Sequence, residues 1–187
     1  MRICARVEID GIQLMAKLKH FTYTELNEQG FRGFVTFANI RPQNSQDDGG
    51  IPKSPGVYVV LRASTAERQF LPRGFGGTHK ARKANVPLDE LESSWVPGAG
   101  VLYIGKASQR DDGGLWDRIN EFAIAGQGRS HGHSGGQYIW QLADARDLLV
   151  AWKVVPDRTE KKLEEAMILA FRDKYGKIPF ANRSVTG

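Results

Sequence analysis

Two short runs constrain this chain more than any other feature: Gly56-Val57-Tyr58-Val59-Val60-Leu61 and Gly100-Val101-Leu102-Tyr103-Ile104-Gly105. Each is dense in β-branched and aromatic residues, and each is flanked by turn formers or polar residues, so each reads as a buried strand. Between them, residues 63–94 scatter Arg68, Arg73, His79, Lys80, Arg82 and Lys83 among Gly74, Gly76 and Gly77. No apolar period survives there, so the stretch reads as a basic excursion and not as a crossover helix. Strands joined without a crossover helix pair antiparallel.

The other elements follow from period and punctuation. Gly113-Gly114 opens an amphipathic helix with Leu115, Trp116, Ile119 and Phe122 at helical spacing, closed by Gly126, Gly128 and the HGHSGG segment. Residues 135–144 read as a short helix, and 148–155 as a third strand ended by Pro156. Asp157 is the expected cap of a long helix reaching about Tyr175, apolar at Leu163, Met167, Ala170 and Phe171, with Gly176 as its stop signal. The expected class is α+β: a small three-stranded antiparallel sheet flanked by helices, with an N-terminal extension and a basic insertion. Residues 1–50 form the extension, packed on a core of 51–187, and the insertion spans 63–98. Asp10-Gly11 between two alternating runs marks a hairpin in the extension, although a helix through Ile12, Met15 and Leu18 competes. Residues 41–55 read as a loop.

Composition narrows the function class. The 187 residues carry 26 Lys and Arg against 21 Asp and Glu, a formal charge of +5. A basic balance favours a polyanionic partner, most simply nucleic acid, although a few spare cations also occur on proteins that bind none. Cys4 is the only cysteine, so no intramolecular disulfide forms and a reducing compartment is expected. No apolar run approaches bilayer length, and charges recur too often near the N-terminus for a signal core; a cytoplasmic protein with no membrane partner is expected.

Singly, the polar residues have ordinary explanations. Tyr58 and Tyr103 can pack their rings in a sheet. Arg118 and the Glu164-Glu165 pair can sit on solvated helix faces. His131 and His133 flank a glycine in a loop, without the spacing of a zinc site.

Together they form a pattern. GVYVV, VLYIGKA, GLWDRI, LEEAMI and PFAN follow one another from about 56 to 183. In this arrangement the chain resembles the GIY-YIG endonuclease superfamily. That resemblance implies a metal-dependent endonuclease acting on DNA, with double-stranded DNA as the first expectation. Tyr58 and Tyr103 then reach the scissile phosphate, and one of them, Tyr58 first, acts as general base. Arg118 clamps non-bridging oxygens and Glu164 is the sole carboxylate holding one ion, magnesium or manganese, with Lys106 and Asn182 nearby. Glu165 is the neighbouring alternative if the helix register differs by one.

The chemistry is consistent. Hydrolysis of a phosphodiester needs a deprotonated water, neutralised charge and help for the leaving oxygen. One carboxylate with waters suits magnesium, and arginine matches phosphate geometry as lysine does not. A phenol needs neighbouring positive charge to ionise near neutral pH.

The chain also departs from the family pattern. The tyrosines lie 45 positions apart, which makes the insertion long, as in restriction-type members. Its Arg68, Arg73, Lys80, Arg82 and Lys83 are expected to contact DNA outside the scissile phosphate. Phe122 stands where many relatives carry Tyr or His. His133 is assigned to make good that loss, with a loop histidine that merely caps or touches DNA as the alternative. The final Asn lies further from the glutamate than in compact relatives. A noncatalytic nucleic-acid-binding module on the same scaffold and an RNA-directed nuclease are the competing readings, and monomer and homodimer both stay open.

Overall fold

The computed structural model describes residues 18–40, 50–77, 85–109, 113–129 and 136–185. The expected hairpin around Asp10-Gly11 lies outside them, as do His131, His133, Lys80, Arg82 and Lys83. Strands β2 (Gly56–Leu61) and β3 (Val101–Ala107) pair antiparallel with Tyr58 opposite Gly105 and Val59 opposite Ile104. Every residue of β2 is buried, as its unbroken apolar run requires.

The sheet has four strands, not three. Its order is β1–β4–β2–β3, with β1 (Arg32–Thr36) antiparallel to β4 (Leu149–Val154) and β4 antiparallel to β2. The additional strand belongs to the N-terminal extension, and its own irregularity conceals it in the sequence. Gly33 and Phe34 both take positive φ, +92° and +54°, and the register shifts between Gly33 and Val35. Such a bulge destroys the alternation by which a strand is recognised.

Helix α1 (Tyr23–Glu28) precedes β1 and is fixed at its start by Thr22, whose hydroxyl accepts the Glu25 N–H at 3.2 Å. The Glu25 carboxylate in turn accepts the N–H groups of Lys19, His20 and Phe21 at 2.7, 2.9 and 2.8 Å. This is a capping box extended backwards over three residues. It delivers Phe21, Leu26 and Phe31 into the core.

Helix α2 (Leu88–Ser94) lies inside the insertion, contrary to the reading of 63–94 as an excursion without core elements. Leu91 is fully buried and Val96 nearly so. A helix this short with one buried position offers too few apolar residues for a period to register. The buried Gln141 carboxamide ties the insertion down: it donates to the carbonyls of Leu71 and Val86 at 3.1 and 3.0 Å and accepts the Val86 N–H at 2.7 Å. Arg62 adds an ion pair to Asp144 at 2.6 Å.

Helix α3 (Gly114–Ala125), the single turn α4 (Gly136–Ile139) and helix α5 (Glu160–Tyr175) complete the chain. The start of α5 is Thr159, not the expected Asp157, which is exposed; the Thr159 hydroxyl donates to the Pro156 carbonyl at 2.6 Å. Gly176 ends α5 at φ +77°.

Two apolar layers sandwich the sheet. One gathers Tyr58, Val60, Leu102 and Tyr103 with Leu115, Ile119 and Phe122 of α3 and with Trp140 and Phe180. The other gathers Val57, Val59, Leu61 and Ile104 with Leu163, Met167, Ile168 and Phe171 of α5 and with the α1 segment. Burial of these side chains, at about 25 cal/mol per Å² of apolar surface, is the main stabilising term. The α+β class stands.

Candidate active site

The register of β2 and β3 sets the centre. A Cβ at Gly105 would lie 2.6 Å from Cε1 of Tyr103 and 2.7 Å from both Cζ and Oη of Tyr58. Only a glycine lets the two rings lie against this backbone. The rings are 5.8 Å apart between centroids at 47°, both buried, and their hydroxyls share a hydrogen bond.

Burial dominates their acidity. It pushes the Tyr103 phenol up to about 12 and the Tyr58 phenol well above its ordinary value. The positive charge of Arg118 opposes both shifts, whereas the negative charge of Glu164 adds to them. The shared hydrogen bond holds the proton on Tyr58 and eases its loss from Tyr103.

Arg118 arrives from α3. That helix starts at Gly114 with φ +52°, and the N–H groups of Leu115 and Trp116 donate to the carbonyls of Ser54 and Pro52 at 2.9 and 3.0 Å. The start of α3 is thereby fastened to the approach to β2. Arg118 is partly exposed, and its Nη1 donates to Glu121 Oε2 at 2.9 Å. Lys106, Ala107, Ser108, Gly114, Asp117, Arg118 and Glu121 line a groove of about 280 Å³.

Glu164 arrives from α5, on the opposite layer. It is buried, and Lys106 Nζ stands 3.2 Å from its Oε2 as an ion pair. Burial raises its pKa, with the Lys106 charge opposing that rise. Glu165 pairs outward with Lys161 at 4.0 Å, so of the two adjacent glutamates Glu164 is the one that faces the strands.

Among the described residues no three His, Cys, Asp or Glu side chains gather as a ligand set. Glu164 brings one buried carboxylate up to the strands, and one carboxylate fits one kind of ion, a hard cation that takes most of its ligands from water and phosphate. Lys106 already partners that carboxylate and competes for it.

Asn182 makes a different contact from the others. Its Oδ1 accepts the Ile104 N–H at 3.0 Å and its Nδ2 donates to the Ile104 carbonyl at 2.8 Å. Because β3 is an edge strand, these backbone groups have no strand beyond them, and the carboxamide takes that place. Asn182 therefore positions β3 one residue from Tyr103.

Phe122 is fully buried and presents its ring to Tyr103 edge to face, 5.6 Å between centroids at 83°, with Phe37 and Trp140 behind it. It backs the Tyr103 ring as an apolar wall. In the insertion, Arg68 pairs with Glu92 at 2.5 Å and lies over the rings of Trp95 and Phe70 at 5.1 and 5.7 Å, while Arg73 is exposed.

The structure thus brings Tyr58, Tyr103, Lys106, Arg118 and Glu164 together and sets Asn182 behind them. Arg68 and Arg73 lie apart on the insertion. Glu121, Asp117 and Ser108 are groove residues that the sequence reading did not single out. The Arg118-x-x-Glu121 spacing is the signal that could have identified the first of them. Comparison with protein-family models, with curated proteins and with solved structures finds no match to this chain.

Proposed function

We propose that the chain is a GIY-YIG-type endonuclease that hydrolyses phosphodiester bonds in DNA with one divalent ion, magnesium or manganese. The observation that supports this reading is the convergence on one tyrosine pair: Tyr58 and Tyr103 lie together against Gly105, and the charges of Arg118 on α3 and of the buried Glu164 on α5 both act on them. A sheet has no packing need for that set, and phosphoryl chemistry uses all of it.

In this reading the guanidinium of Arg118 takes non-bridging oxygens of the scissile phosphate in the groove, aligning it and neutralising its charge as the transition state forms. The tyrosine pair accepts the proton of the attacking water as one unit. The two hydroxyls titrate as one unit, so the proton taken from water belongs to the pair and not to either ring alone. Glu164 holds the ion, which when bound supplies positive charge to the phosphate and eases ionisation nearby. Lys106 keeps the carboxylate ionised inside its buried setting.

A noncatalytic nucleic-acid-binding module is favoured by one observation: Arg118 and Glu164 are each already paired within the protein. One experiment separates the two. Supercoiled plasmid, single-stranded DNA and RNA are incubated with the protein plus magnesium, manganese or a chelator. Nicking of plasmid that needs the metal is the expected result, with single-turnover rate rising steadily from pH 6 to 9 because the base is the minor, ionised form of a phenol. A plateau above about pH 7 would transfer the role of base to a histidine such as His133. Retained DNA binding without cleavage of any substrate would establish the binding module instead.

A further inference from the structure

The groove contains two carboxylates, Asp117 and Glu121, where its reading as a phosphate site calls for none, and Glu121 is the one that Arg118 holds. Arg118 and Glu121 are three residues apart on α3, so both side chains rise from one helix face. The pair is closed at 2.9 Å with both groups partly exposed, 30% and 42%, and both line the groove with Lys106. A carboxylate and a phosphate offer the guanidinium fork the same pair of oxygens. Through its Nη1–Oε2 contact Arg118 therefore already holds an anion of the same chemistry, and this one is covalently tethered.

We propose that Glu121 is a built-in stand-in for the scissile phosphate: it occupies Arg118 until a phosphodiester displaces it. The inference rests on the endonuclease reading for the identity of the displacing group. Its consequence is selectivity. An exposed pair of this kind is weak, so a phosphate held in place by the rest of a nucleic-acid backbone displaces Glu121 readily. A free phosphate or carboxylate, with only the groove to hold it, has to compete against a tethered rival at high effective concentration. The site thus disfavours small anions relative to polymers. Glu121 acts through Arg118 and is a positioning residue.

The test uses the full chain in chelator, so that binding is read without cleavage. Equilibrium binding of a labelled duplex is measured across a salt series for the parent, Glu121→Gln and Glu121→Asp, and free inorganic phosphate is titrated as competitor. Glu121→Gln is expected to bind duplex about two- to fivefold tighter. Its log K against log salt should steepen by up to about one unit, because the parent releases a carboxylate that must take a cation back from solution. Inorganic phosphate should compete several-fold better against Glu121→Gln than against the parent, with Glu121→Asp in between. A purely structural role for Glu121 would move none of these in that direction. Duplex affinity, slope and phosphate competition all at parental values would overturn the proposal, as would weaker binding by Glu121→Gln. A parent that binds duplex and obeys these expectations yet never cleaves would defeat the endonuclease reading alone. If the parent binds no duplex, direct calorimetric titration with phosphate still decides the role of Glu121.

Discussion

Helices α3 and α5 approach the same pair of tyrosines from opposite sides of the sheet, and they hold their charged groups in opposite ways. Arg118 on α3 is partly exposed, and its ionic partner belongs to its own helix. Glu164 on α5 is buried, and its partner, Lys106, belongs to a strand. A pair local to one helix face costs little to open, since neither group leaves water entirely. A buried carboxylate paired across elements is fixed by the packing of two elements and strongly dislikes losing its partner. The contrast separates a cation that can be exchanged between partners from an anion that stays in place.

The sharpest way to break this comparison is to remove each group. Glu164→Ala is expected to lower metal-dependent plasmid cleavage by about 10³-fold or more while duplex affinity in chelator stays near parental, because in the proposed reading the lost group would hold the ion and not the DNA backbone. Arg118→Ala is expected to lower single-turnover rate by about 10²- to 10³-fold and also to weaken duplex binding, because in the proposed reading its group contacts the DNA directly. If both variants lost binding equally, the division of labour between the helices would be wrong.

A finer test uses stability. Burial raises the pKa of Glu164 in the folded protein above its unfolded value. Between those two values the folded chain keeps a proton that the unfolded chain has lost, so stability falls as pH rises through that window and stays reduced above it. Glu164→Gln abolishes this term. Urea melts should show the variant gaining on the parent from acid pH to neutral pH, while cleavage is lost. Lys106→Met should deepen the parental decline, since the Lys106 charge opposes the burial shift. No such pH dependence is expected from Arg118, which stays charged throughout.

The smallest expected effect distinguishes two arginines of the insertion. Arg68 is engaged by Glu92, Trp95 and Phe70, whereas Arg73 is exposed. Neutralising Arg73 should flatten the salt slope of duplex binding by up to about one unit, and neutralising Arg68 should leave the slope and lower stability by about 1 kcal/mol. The reverse assignment would mean that Arg68 leaves its packed position on DNA.

What was legible in the sequence was whatever repeats or has a strong local signature. The β2 and β3 runs, α3 with Leu115, Ile119 and Phe122, and α5 stopped by Gly176 each carry a period or a terminator, and each lies where it was expected. Strand β1 was missed because Gly33 and Phe34 break the very alternation that defines a strand. Helix α2 was missed because its hold on the core is Leu91 and a network through Gln141, and a hydrogen-bonded glutamine has no periodic signature. In the site, Tyr58, Tyr103, Lys106, Arg118 and Glu164 could be named from motif order. Their pairings could not, because Lys106 and Glu164 are 58 positions apart and meet only through the packing of α5 on β3. The place of Phe122 read as a deficit in the motif, and in the fold it is a wall behind Tyr103.

The contact between Asn182 and Ile104 bears on what the sheet can be joined to. Residues 101–104 form an apolar, wholly buried run on an edge strand, the kind of segment that recruits further strands from other molecules. Asn182 occupies both backbone groups of Ile104, and the Ala181 N–H takes the Leu102 carbonyl at 2.8 Å. Chain-to-chain strand addition therefore has no free ladder to extend beside Tyr103. Two copies of this protein that associate must do so through other surfaces, and a chain in which residues 179–183 are cut or displaced is expected to lose solubility along with the alignment of Tyr103.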